Sequence, residues 1–220
     1  MATNLITGAN RGVGLELARQ MAARGDRVIA ACRRDAPAFE GVAPLSLDVT
    51  DDESLAALER SLADASLDLL VCNAGALIGR GGLNDAAYTR EAFETVLAVN
   101  VTGVFFTVKA CLPALRRGRG KIAVVSSQMG SSARAKGNAY LYRASKAAAT
   151  NLAVSLSREL AEEGIAVGAY HPGWVRTDMG GAGADISAEE SAVGLIERFD
   201  ALSVETTGCF EFYSGETIPF

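Results

Sequence analysis

Histidine is almost absent: His171 is the only one in 220 residues. A single imidazole with no cysteine or carboxylate near it in sequence argues against a metal centre, so no metal is expected. Cysteine is sparse as well. Cys32, Cys72, Cys111 and Cys209 are far apart and lack the short paired spacing of zinc sites. Three lie in apolar strand-like runs and Cys111 in a helical one, so they read as small buried hydrophobes of a reducing compartment. Positive charge is not in surplus. The formal net charge is -5, and the basic cluster Arg116, Arg117, Arg119 and Lys121 reads as a solvated turn. Both argue against a nucleic-acid partner. No apolar run approaches the roughly 20 residues that span a bilayer, and a strand starts too early for a leader. A cytoplasmic chain with no membrane partner is expected. No repeat, linker or low-complexity stretch marks a boundary, so residues 1–220 are expected to form one domain.

What is present is a regular alternation. The chain is 49% hydrophobic, enough to bury a substantial core. Strands are predicted at 4–7, 27–32, 43–47, 67–72, 121–126, 165–170 and 208–213. Helical runs lie between them, at 15–24, 53–63, 89–109 with a stop nearer Gly118 and Gly120, 139–163, and from a capping box at Ser187 to Leu202. Several strands are apolar on both faces, as in Val28-Ile29-Ala30 and Leu69-Leu70-Val71. The expected fold class is therefore α/β: a doubly wound Rossmann-type domain with a seven-stranded, mostly parallel sheet.

The first strand runs into Thr7-Gly8-Ala9-Asn10-Arg11-Gly12-Val13-Gly14 and then a helix. Glycines there allow a tight turn and let a pyrophosphate approach the backbone and the helix N-terminus. The order strand, glycine turn, helix, strand is that of a dinucleotide-binding unit. A second feature lies on a later helix. Tyr142 and Lys146 are four apart and so share one face. An ammonium one turn from a phenol favours the phenolate, which makes the pair a proton-transfer candidate. In open parallel sheets ligands bind beyond the carboxyl ends of the strands. The unusual residues fall there: the glycine turn, Arg33, Asp48, Asn73-Ala74-Gly75, Ser126-Ser127 and Pro172-Gly173.

This set, with Asn100 in the middle of an apolar helical stripe, resembles the motifs of the short-chain dehydrogenase/reductase family. Gly137 to Arg143, His171 to Gly181 and Phe210 to Phe220 resemble more closely the branch of C-factor-like proteins and sniffer-type carbonyl reductases. The resemblance implies catalytic roles for four residues. Tyr142 would be the general acid in carbonyl reduction and the base in alcohol oxidation. Lys146 would lower its pKa and bind the nicotinamide ribose. Ser127 would hydrogen-bond the substrate oxygen, with Ser126 its rival, and Tyr140 a rival phenol. Asn100 would hold a water that relays protons from Lys146. It further implies cofactor contacts from Gly8, Asn10, Arg11, Gly12, Val13 and Gly14. Asp48 and Val49 would flank the adenine, and Asn73, Ala74 and Gly75 the adenosine ribose, although a plain strand-ending turn accounts for Asn73 to Gly75 as well. Tyr142, Lys146, Pro172, Gly173, Val175 and Thr177 would lie at the nicotinamide.

Charge selects the cofactor. NAD enzymes place an acid at the end of the second strand to bind the ribose 2′-hydroxyl. Here that place holds Ala31-Cys32-Arg33-Arg34, and Arg33 suits a 2′-phosphate. Arg11 is expected to add a second positive charge. NADP(H) is preferred and NAD(H) not excluded. The expected function is carbonyl–alcohol interconversion by hydride transfer on a small molecule, in a homodimer or homotetramer paired through the helices at 89–109 and 139–163. The rival reading is a nucleotide-binding signalling or regulatory protein of the C-factor type.

Overall fold

Strands apolar on both faces need helices on both sides, and the computed structural model, which describes all 220 residues, has that form. The strands are β1 (Thr3–Thr7), β2 (Arg27–Cys32), β3 (Val42–Ser46), β4 (Leu69–Cys72), β5 (Lys121–Val125), β6 (Ala166–His171) and β7 (Phe210–Phe212). They form one sheet in the order β3-β2-β1-β4-β5-β6-β7. Every pairing is parallel, so the expected "mostly parallel" sheet is wholly so. Pro44 lies in β3, an edge strand, where a missing N–H costs no ladder bond on the outer side. The strand order reverses between β1 and β4. That is the point where two crossovers diverge and leave a crevice at the carboxyl edge.

Helices α1 (Gly12–Ala23) and α6 (Ala188–Ala201) cover one face. Leu17, Ala18 and Met21 of α1 and Ala192, Leu195 and Phe199 of α6 bury their apolar stripes there. Tyr170 of β6 meets Phe199 edge-on at 5.2 Å. Helices α2 (Asp52–Ser61), α4 (Gly103–Gly118) and α5 (Tyr140–Leu160) cover the other, and α3 (Arg90–Leu97) packs against the start of α5. Val104, Val108, Cys111 and Leu115 of α4, and Ala149, Ala153, Leu156 and Leu160 of α5, repeat at helical spacing into this second core. Caps set the starts: Asp51, Thr89 and Ser187 each accept a backbone N–H of the first turn they precede.

Three details differ from expectation. The helix begun at Arg90 stops at Gly118, as the glycines there imply, but it passes through a π turn at Ala98–Thr102, in which Asn100 lies. Its combined length and composition would suffice to cross a membrane, which the run-by-run reading of the sequence does not reveal. Its apolar residues Val96, Val104, Val108, Cys111 and Leu115 are instead buried against the rest of the protein. The last strand is shorter than expected, at three residues. The glycines of the 79–82 loop imply flexibility, but the loop is tightly bonded. Asp85 accepts the N–H groups of Arg80 (3.0 Å), Gly81 (2.8 Å) and Ala87 (3.0 Å). The Gly81 carbonyl accepts the Tyr88 hydroxyl at 2.9 Å and the Ala139 N–H at 3.0 Å.

Candidate active site

The crevice between β1 and β4 is organised by Thr7 and Asn73. The Thr7 hydroxyl oxygen accepts the N–H groups of Asn73 and Ala74, both at 3.0 Å. Asn73 Nδ2 donates to the carbonyls of Thr7 (2.9 Å) and Gly8 (3.0 Å). Gly8 has a φ of +66°, a left-handed conformation that glycine adopts without strain. A side chain at Gly14 would collide with Asn73 Nδ2 and the Gly8 carbonyl, so α1 can start this close to the strand only without one. Of the two readings of Asn73, the structure gives the turn-building one its contacts. Asn73→Ala would leave the Thr7 and Gly8 carbonyls without these donors. It is expected to lower thermal stability by about 1–3 kcal/mol and to weaken dinucleotide binding, read by melting with and without cofactor.

The turn fits a dinucleotide phosphate. Arg11, at the N-cap of α1, gives the first turn no side-chain hydrogen bond and no acid lies in that turn, in contrast to the capped starts of α2, α3 and α6. Its N–H groups are the kind that bind anions. Gly12 faces Thr177 across the crevice: a Cβ there would sit 3.0 Å from Thr177 Cγ2. Asn10 and Val13 are half-buried in the same turn, and Asn10 Nδ2 donates to the Arg34 carbonyl at 3.3 Å. Arg33 is exposed beyond β2. Asp48 faces it: burial raises the carboxyl pKa, but hydrogen bonds from Thr50 and the charge of Arg33 outweigh that and hold it below its usual range. Val49 is buried and lines a small cleft with Thr7, Ala74 and Gly103. Arg11 pairs with Asp178 at 2.7 Å, both side chains largely exposed.

The second half of the site lies beyond β5. Ser126 and Ser127 are separated by what they touch. The Ser126 hydroxyl is 2.6 Å from Thr150 Oγ1 and donates to the Lys146 carbonyl at 3.1 Å, so it ties β5 to α5. Ser127 Oγ accepts the Met129 N–H at 3.1 Å, which leaves its O–H to donate elsewhere. It is also the hydroxyl that acts on the Tyr142 phenol. Tyr140 turns away: it is 39% exposed, and its ring packs edge-on against Tyr88 at 6.0 Å.

Tyr142 and Lys146 are both buried. Lys146 Nζ donates to the Val125 carbonyl at 2.8 Å and lies 5.7 Å from the centre of the Tyr142 ring. The ammonium therefore faces the ring. Burial pushes the Tyr142 pKa up to about 12, against the opposing pull of the Ser127 hydroxyl and the Arg80 guanidinium. This reverses the direction expected from helical spacing alone. Burial also lowers the Lys146 pKa to about 8. Asn100 is a brace. Its Oδ1 accepts the Ala76 N–H at 2.8 Å, and its Nδ2 donates to the Ala76 carbonyl and to Ser145 Oγ, both at 2.9 Å. It thus locks the segment after β4 to α5. A Cβ on Gly75 would sit 3.5 Å from Asn100 Oδ1 and 3.7 Å from Lys146 Nζ, so the two polar ends converge there.

Beyond β6, Pro172 is held by Ser191, whose hydroxyl donates to its carbonyl at 2.6 Å, and Gly173 takes a φ of +90°. Val175 is buried and bridges to Ile186. Thr177 Oγ1 accepts the Gly180 N–H at 3.1 Å. His171 is buried against Phe212, its rings 5.4 Å apart, and burial holds its pKa down to about 4. No cluster of His, Cys, Asp or Glu that could hold a metal is found. Sequence reasoning missed Ser145 and the Val125 carbonyl. Neither carries a local pattern, because each acquires its partner through the fold.

An open parallel sheet with a bare glycine turn at its switch point and a buried Ser-Tyr-Lys group beside it defines a dinucleotide-dependent oxidoreductase fold. Residues 2–185 match the family described as short chain dehydrogenase, and the chain belongs to that family. It is 35% identical to the 1-hydroxy-2-glutathionyl-2-methyl-3-butene dehydrogenase of Rhodococcus sp. (strain AD45), over 98% of both chains. It is 38% identical to the C-signal protein of Myxococcus xanthus, over 70% of this chain and 93% of that one. Among solved structures it resembles the carbonyl reductase Sniffer of D. melanogaster (TM-score 0.89, 28% identity, 100% of both chains). It also resembles the NADPH-bound carbonyl reductase from chicken fatty liver, with a TM-score of 0.88 and 29% identity over 100% of this chain and 99% of that one. The resemblance to the sniffer and C-factor branch is therefore upheld.

Proposed function

We propose that the protein is an NADP(H)-dependent carbonyl reductase forming one domain over residues 1–220. The observation that carries this reading is the convergence of Ser127, Tyr142 and Lys146 at the carboxyl edge beside the bare glycine turn. The turn and the start of α1 would hold the pyrophosphate. Asp48 and Val49 would flank the adenine, and Pro172, Gly173, Val175 and Thr177 the nicotinamide end. When bound, the nicotinamide supplies the hydride. Ser127 donates its free O–H to the substrate oxygen, and Tyr142 gives that oxygen its proton. A phenol whose pKa burial raises to about 12 is protonated near neutral pH and so has the proton that carbonyl reduction needs. Lys146 remains largely an ammonium near neutral pH and can bond the ribose hydroxyls once it leaves the Val125 carbonyl. Asn100 keeps the Lys146 side of the pocket in place.

The NADPH-bound neighbour and the exposed Arg33 support NADP(H). Arg33→Ala is expected to weaken NADPH by about tenfold to hundredfold, the size of a charged bidentate contact, and NADH by less than about twofold. Nicotinamide fluorescence titration of the unaltered protein and the variant tests both the cofactor and its determinant. Equal losses for the two cofactors would remove Arg33 from the 2′-phosphate. The likeness to C-signal favours a second reading, a nucleotide-binding regulatory protein. It predicts cofactor binding without turnover on any carbonyl screened. Pairing of copies through the exposed Phe93, Leu97, Phe105 and Phe106 of α3 and α4 is part of the proposal.

A further inference from the structure

Arg80 enters the chemistry above only through its charge on the Tyr142 phenol, yet its position is built. It follows β4, and its side chain donates to the Met179 carbonyl, which follows β6. The strand between those two in the sheet is β5, and Ser127 follows β5. A side chain that crosses from the β4 loop to the β6 loop therefore spans the carboxyl edge of β5, the edge at which Ser127 lies. Its field reaches the Tyr142 phenol. The backbone beneath it is anchored by Asp85, by Tyr88 and by the bond from Gly81 to the start of α5. The guanidinium is also under-used. It has five N–H donors, but Met179 is its one acceptor and it forms none of the ion pairs of the protein. The acids near this edge are occupied elsewhere: Asp85 by three backbone N–H groups and Asp178 by Arg11.

We propose that Arg80 binds an anionic group on the substrate, so that the physiological substrate is a carbonyl compound carrying a carboxylate or comparable oxyanion. The planar fork of the guanidinium suits two carboxylate oxygens, and the substrate anion would supplement or displace the Met179 carbonyl. This rests on the carbonyl reductase reading and extends it to a substrate class.

The test uses 4-acetylbenzoate and its neutral methyl ester. Binding of each to the protein saturated with NADP+ is measured by calorimetry, and turnover of each is measured with NADPH. The unaltered protein is expected to favour the acid, and the preference to shrink as salt is raised. Arg80→Gln should lower the acid-to-ester ratio, in both binding and kcat/KM, by about tenfold, the worth of one charge-assisted hydrogen bond. Arg80→Lys should restore part of it. Arg80 is exposed, so neither variant should fail to fold. An unchanged ratio in Arg80→Gln, or equal losses for acid and ester, would overturn the proposal and make Arg80 a clasp between loops. Preferential binding of the acid without turnover of either ketone would instead count against the reductase reading alone.

Discussion

Tyr142→Phe should abolish carbonyl reduction while leaving cofactor binding and the fold in place. The substitution removes one hydroxyl and keeps the buried ring, so α5 keeps its packing. What is lost is the proton that the substrate oxygen takes as the hydride arrives. A positioned acid contributes about a hundredfold to ten-thousandfold, and kcat is expected to fall by that factor. The dinucleotide is held by the glycine turn and the residues beyond β2, β3 and β6, so its affinity should change by less than about threefold. Steady-state kinetics and fluorescence titration of the same preparation check both halves. Ser127→Ala is the companion. It should also lower kcat, and it should raise the phenol's pKa further, since the Ser127 hydroxyl is one of the two groups that pull it down. Undiminished turnover by Tyr142→Phe would remove Tyr142 from the mechanism. A matching loss of cofactor affinity would make its role structural.

Much of this was legible in the chain because the information is local. A glycine turn between a strand and a helix, a Tyr and a Lys four apart, and strands apolar on both faces each declare themselves within a few residues. What was not legible depends on neighbours distant in sequence. Nothing near Ser126 shows that Thr150 and the Lys146 carbonyl will take up its hydroxyl, while Ser127 Oγ only accepts the Met129 N–H. Arg11 reads as a free charge until the fold brings Asp178 to it. The glycines of the 79–82 loop suggest motion, but Asp85 and Tyr88 bond its backbone into a fixed turn. The sign of the Tyr142 shift was misread for the same reason. Helical spacing reports the ammonium one turn away but not the burial of the phenol, and burial is the larger effect. Asn100 stood out as a polar residue in an apolar stripe. That it sits in a π turn and braces Ala76 and Ser145 required the three-dimensional contacts.

Lys146→Met should make the protein more stable and far less active. The ammonium is buried, and burial lowers its pKa from the ordinary 10.5 to about 8. The unfolded chain therefore holds this proton more tightly than the folded one. The penalty on the folded state is complete below about pH 8, fades as the pH rises toward the ordinary value, and is gone above it. A shift of that size corresponds to about 3 kcal/mol near neutral pH. Methionine fills similar space without charge, but leaves the Val125 carbonyl without its donor, which costs about 1 kcal/mol. A net gain of about 1–2 kcal/mol is expected in the cofactor-free protein, a rise in Tm of about 2–6 °C. Turnover should fall by at least about a hundredfold, because the ribose loses its cationic partner and the Tyr142 side of the pocket its positive charge. Thermal melts of both proteins, near neutral pH and again above the ordinary lysine pKa, separate the causes. If the charge is what the fold bears for the sake of the reaction, the variant's advantage disappears at high pH. A variant less stable at neutral pH would mean that Lys146 is kept for its bond to Val125 and not for its charge.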